Sequence, residues 1–174
     1  MAFAEGEMNM SRVQEAVDLF AGDRNCAQSI VMTYGPLFGL PPETAKHLAA
    51  PLGAGMGFRG DTCGAASGAV LVLGLLSGSL GLSDKEAKDR SYELTRAFLE
   101  RFEGFNGSAR CDQLIGLDIG TPEGLQLAKD RQVFTTTCPK LVRGAAEILE
   151  SMLRENGHEV GGLEVPDMAE GEPK

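Results

Sequence analysis

The sequence predicts an all-α protein: a single-domain helical bundle of six to seven helices around a central helix rich in glycine and alanine. Three observations predict this class. Apolar residues recur at helical spacing in most segments. Ser, Thr, Asn or Pro stands where these segments begin, and Gly or Gly-Pro where several of them end. No stretch is rich in strand signals, and no internal repeat is visible. A chain of 174 residues is long enough for one domain with a sizeable core.

Residues 1–10 read as a loose leader, 11–157 as the helical domain and 158–174 as an acidic tail poor in core residues. Ser11 and Gln14 form a capping box for a first helix carrying Val13, Ala16, Val17 and Phe20. Gly22 stops it. Asp23 or Asn25 caps the next helix, in which Cys26 lies one residue before the apolar face of Ala27, Ile30, Val31 and Tyr34; Gly35-Pro36 breaks it. Pro41-Pro42-Glu43 opens a short helix that ends before Pro51.

A glycine-rich loop (Gly53, Gly55, Gly57, Gly60) follows, in which several residues take positive φ or pass close to other backbone. Asp61 or Thr62 caps the central helix, which places Cys63 in its first turn. Small residues four apart, Gly64 and Gly68, prepare one face for close packing. The run from Ala65 to Leu76 is apolar nearly all round and so should be buried.

Ser83 and Glu86 form another capping box, before an amphipathic helix from Asp84 to Glu103 with Leu94, Ala97, Phe98, Arg101 and Phe102 on its inner face. Ser108 caps a short helix holding Cys111, Leu114 and Ile115. Thr121-Pro122-Glu123 opens a further one. Thr135 to Thr137 leans towards β structure but is short for a strand. Thr137-Cys138-Pro139 starts the last helix, which carries Leu141, Val142, Ala145, Ile148, Leu149 and Met152 and ends near Asn156-Gly157.

The net charge of −9 argues against nucleic acid or an anionic membrane surface as partner. The first residues show neither a basic region nor an apolar run of the secretory type, and Ala69 to Leu76 is far short of a membrane span. The expected location is the cytoplasm, where cysteines serve redox chemistry or metal binding more often than structural disulfides.

The four cysteines then become the centre of interest. Each lies at or just inside a predicted helix start, and a cation is close in sequence: Arg24 near Cys26, Arg59 near Cys63, Arg110 beside Cys111, Lys140 after Cys138. Helix N-termini and cations both favour thiolate. The expected order of reactivity puts Cys63 first, because the glycine loop adds free N–H groups and Arg59 can swing over the sulfur. The spacings of 37, 48 and 27 residues contain no C-x-x-C, which weakens a zinc ribbon or a thioredoxin-type dithiol. If the helix starts converge, four thiolates with several N–H donors suit an iron–sulfur cluster. The competing reading is that the cysteines are buried small hydrophobes.

Other motifs carry less. Gly55-x-Gly57-x-x-Gly60 matches a dinucleotide fingerprint in letters, but no strand precedes it. His47 reads as a helix-surface or core-edge residue and His158 as part of the tail. Glu147 and Glu150 read as a solvated helix face.

Cys63-Gly64-Ala65-Ala66-Ser67-Gly68, together with Asn25-Cys26-Ala27-Gln28, the glycine loop and Thr137-Cys138-Pro139, resembles the C_GCAxxG_C_C family of redox-active proteins over about residues 25–150. The resemblance implies redox function involving Cys26, Cys63, Cys111 and Cys138, and does not settle a substrate. Some relatives are split-Soret cytochromes, but C-x-x-C-H is absent here, so covalent haem is not supported.

The expected function is therefore a redox protein or electron carrier rather than a hydrolase or transferase. The four cysteines are metal ligands, Cys63 is the reactive thiol, and Arg59 and Gly64 contact the cofactor. That cofactor is an iron–sulfur cluster; the alternatives are no cofactor, with Cys63 attacking a disulfide, or a structural zinc in an adaptor protein. The expected partner is a redox protein, without membrane insertion, and a homodimer is compatible with the sequence.

Overall fold

The computed structural model describes residues 11–160; the leader 1–10 and the tail from residue 161 lie outside the described residues. Eight α-helices of five or more residues, and no strands, are present among the described residues. They are α1 (Arg12–Ala21), α2 (Cys26–Tyr34), α3 (Pro42–Ala49), α4 (Gly64–Ser79), α5 (Asp84–Asn106), α6 (Cys111–Ile115), α7 (Pro122–Asp130) and α8 (Cys138–Glu155). The all-α single domain is as the sequence predicts.

α4 is the central element, packed against α2, α5 and α8. Its contact with α2 depends on missing side chains. A Cβ on Gly68 would stand 2.9 Å from the Ala27 carbonyl oxygen and 3.1 Å from Ile30 Cβ, and one on Gly64 would run into Cys26 Sγ. Both glycines are buried, so the two backbones approach as closely as the sequence spacing suggests. Val72, Leu73 and Leu76 of α4 meet Phe98 and Phe102 of α5 and Val142, Leu149 and Met152 of α8 in one core.

The helix starts follow local chemistry. Asn25 Oδ1 accepts from the Gln28 amide at 2.9 Å while Gln28 Oε1 accepts from the Asn25 amide at 3.0 Å, a full capping box. Ser83 and Glu86 form a second. At α1 only half of the expected box forms: Ser11 Oγ accepts from the Gln14 amide, and the Gln14 side chain turns instead to Asp18 and Arg143. α5 continues through the expected loop at Gly104 and ends at Asn106. Residues Val133–Thr136, with their β-leaning threonines, form a helical turn leading into α8, because Thr135 and Thr136 hydroxyls bond back to the Gln132 carbonyl.

Two expectations for the last helix and tail need correction. Glu150 is only 4% exposed and accepts from the Tyr34 hydroxyl at 2.9 Å and from Arg154 at 2.7 Å, so it ties α2 to α8 and is no solvated face. The beginning of the expected tail packs on the bundle: the His158 ring lies against Phe38 and Val160 is buried.

Candidate functional site

The segment between α3 and α4 decides the site's shape. From Ala54 to Phe58 five successive residues have positive φ: 54°, 65°, 65°, 62° and 69°. With ψ of 37°, 52° and 45° at Ala54, Gly55 and Gly57, this is a turn of left-handed helix, closed by Gly57 N–H donating to the Gly53 carbonyl at 2.9 Å. Glycine adopts this geometry freely, but Ala54, Met56 and Phe58 do so at a cost of about 1 kcal/mol or more each. The glycine loop expected from the sequence is therefore a wound turn.

This turn and the residues after it stitch the helix starts together. Asp61 N–H donates to the Gly55 carbonyl at 3.0 Å, Cys63 N–H to Ala109 at 2.8 Å and Cys111 N–H to Asp61 at 2.7 Å. Thr62 and Arg110 form an antiparallel bridge. A Cβ on Gly55 would lie 2.8 Å from Cys111 Cβ, so the turn presses directly on α6. The starts of α4 and α6 are thereby held side by side, and α2 joins them through Gly64.

All four cysteines line one cavity of about 320 Å³. Its other walls are mostly apolar: Phe20, Ala54, Phe58, Ile115, Phe134 and Leu141 among them, with Asn25 and Lys129 the polar residues. Cys63 and Cys111 are buried, Cys26 and Cys138 partly so. All four are free thiols. Among the described residues, no three His, Cys, Asp or Glu side chains are already drawn in to hold a metal ion.

The thiol electrostatics run opposite to the sequence expectation. Burial pushes the Cys63, Cys111 and Cys138 thiols up from the ordinary 9.0 to about 12, and the neighbouring cysteines push in the same direction. Burial raises Cys26 as well, opposed by the amides of Ala54, Ala27, Cys26 itself and Gly64. The amides of Ala65 and Ala66 act likewise on Cys63. Each sulfur thus feels the charge of at least one other, or faces several backbone donors.

Two of the expected cations turn away from the sulfurs. Arg59 is exposed and bound to Asp61 at 2.8 Å, and Arg110 is held by Asp112 at 2.6 Å. The expected swing of Arg59 over Cys63 is therefore replaced by an ion pair at the surface. Asp61 and Thr62 do not cap α4: Cys63 itself occupies the cap position, and Gly64 is the first helical residue, set against Cys26 Sγ. Burial of Cys63, which is 4% exposed, outweighs the helix start and removes the expected reason for ranking it most reactive. His47 is exposed beside Glu43, away from the cavity-lining residues.

Sequence reasoning missed the cavity's aromatic wall. Phe20, Phe58 and Phe134 come from three separated segments, and nothing local in the sequence marks their meeting at one cavity. Ala54 and Phe58 did leave a trace: non-glycine residues alternate with Gly53, Gly55 and Gly57, an arrangement consistent with one continuous left-handed turn.

Residues 24–152 match the family described as "Putative redox-active protein (C_GCAxxG_C_C)", and the chain belongs to that family. The chain is thus an all-α member of this family in which four cysteines line one cavity. No curated protein and no solved structure matches the chain. No helix among the described residues is long and apolar enough to cross a membrane.

Proposed function

We propose that Cys26, Cys63, Cys111 and Cys138 hold an iron–sulfur cluster, and that the protein carries or senses electrons through it in the cytoplasm. The observation that carries this reading is the convergence of four cysteines from distant segments on one apolar cavity. The donor set fits: four thiols, with backbone amides facing two of the sulfurs. A single zinc ion needs its sulfurs at about 2.3 Å from one point. A polynuclear core spreads its ligands further, as suits four cysteines set around one cavity of about 320 Å³. When bound, such a cluster supplies one-electron chemistry.

The chain's own residues account for the rest. The phenylalanine walls exclude water and keep the local dielectric low. The amides of Ala54, Ala27 and Gly64 on Cys26, and of Ala65 and Ala66 on Cys63, favour charged sulfur and tune the potential. Because the free thiols hold their protons, loading must release them, and it weakens as pH falls. The same retained protons disfavour an attacking thiolate near neutral pH, which sets the thiol–disulfide reading second. Electrons pass to or from a redox partner protein.

The test is anaerobic reconstitution of the full chain with ferrous iron and sulfide. The expected result is visible absorption, with iron and acid-labile sulfide retained through gel filtration and lost in Cys111→Ser. A colourless, iron-free product that forms a disulfide between two of the four cysteines in air would overturn the proposal, as would retention of zinc alone.

A further inference from the structure

We propose that Phe58 is the gate of the four-cysteine cavity: its ring sets the size of molecule that reaches the sulfurs, and the left-handed turn holds it there. Phe58 lines the cavity and is also 48% exposed, so it stands at the boundary between cavity and solvent. Its backbone sits at a φ of 69°, where glycine would be unstrained. A ring half out in water recovers little of that strain through burial, so the fold itself gains little from phenylalanine at this position.

The turn is fixed at both ends. Gly57 N–H binds the Gly53 carbonyl, Asp61 N–H binds that of Gly55, and the Phe58 carbonyl lies where a Cβ on Gly120 would be 3.3 Å away. The same turn aims the Ala54 amide at Cys26 and presses Gly55 on Cys111. The ring is thus placed relative to the sulfurs by the segment that positions them. Beyond it the walls are mostly apolar, with Asn25 and Lys129 the polar residues, so passage favours small molecules over bulky ones.

Met56 provides an internal control. It has the same left-handed backbone, at a φ of 65°, and similar exposure at 45%, but it is not among the cavity-lining residues. Glycine at either position relieves strain, and only glycine at 58 opens the mouth.

The experiment is alkylation of the full chain, reduced and stripped of metal by chelation, with iodoacetamide and with a bulky pyrenyl maleimide, read cysteine by cysteine by mass spectrometry. This test needs no cluster, so its failure leaves the cofactor reading standing, and failure of reconstitution leaves the gate standing. Phe58→Gly is expected to raise the maleimide rate about tenfold, with a smaller rise for iodoacetamide, while its melting temperature holds or increases. Phe58→Leu should restore most of the protection, and Met56→Gly should leave both rates at the parent value. Unchanged rates in Phe58→Gly would overturn the proposal. So would an equal rise for the two reagents, or a rise in Met56→Gly as large as that in Phe58→Gly.

Discussion

Cys63 shows how one residue can satisfy a local rule and still behave otherwise. It begins a helix, as its sequence context says, and two amides of that helix face its sulfur. Those donors favour thiolate, but the loss of water around a side chain 4% exposed is larger. The same apolar run that predicts a buried central helix also buries its first cysteine, and local reading of the cap omits that cost. A pH effect follows. Folded Cys63, Cys111 and Cys138 keep their protons to about 12, whereas unfolded thiols release them near 9.0. Between these values the unfolded chain binds fewer protons, so stability is intact below the lower value and falls as pH rises through the window. Urea midpoints of the reduced, metal-free protein should drop between pH 8 and pH 10. The drop should be shallower in Cys138→Ser; an identical pH dependence would contradict the thiol contribution.

At the scale of elements, a close helix neighbour for α4 was legible from Gly64 and Gly68, because small residues four apart let a backbone approach; that the neighbour is α2 was not. The hand of the turn before α4 was only half legible. Four glycines announced positive φ, but winding Ala54, Met56 and Phe58 into the same region requires the hydrogen bonds to Gly53 and Gly55, which sequence spacing does not reveal. The mutational consequence lies at Gly68. Even alanine there brings a Cβ to 2.9 Å from the Ala27 backbone oxygen, and backbone cannot swing aside as a flexible side chain can. Gly68→Ala is expected to cost about 2 kcal/mol, and Gly68→Leu more, by chemical denaturation. Because α2 carries Cys26, iron retention after reconstitution should fall with it. A Gly68→Leu variant as stable as the parent would show that α2 and α4 are not packed this way.

Across the whole molecule, α2 and α8 meet twice. At their N-terminal ends Cys26 and Cys138 share the cavity, and further along them Tyr34 binds the buried Glu150. The first meeting could be guessed from the family resemblance. The second could not, since 116 residues separate tyrosine from glutamate and a glutamate in an amphipathic helix ordinarily faces water. Removing the hydroxyl leaves a buried carboxylate with one donor fewer. Tyr34→Phe should lower stability by about 2 kcal/mol, measured by urea unfolding, with iron and sulfide content after reconstitution unchanged. Loss of iron and sulfide uptake at full stability would mean that the two ends are coupled in a way the packing does not provide.

The exposed turn Gly81–Ser83 divides the cysteines two and two: Cys26 and Cys63 before it, Cys111 and Cys138 after it. Neither of these halves holds all four cysteines, and Cys138 leaves the ribosome after the other three. A compact metal-binding loop could capture its cargo during synthesis. Here a group held by all four sulfurs has to wait for the finished fold, and its presence then certifies that both halves have come together.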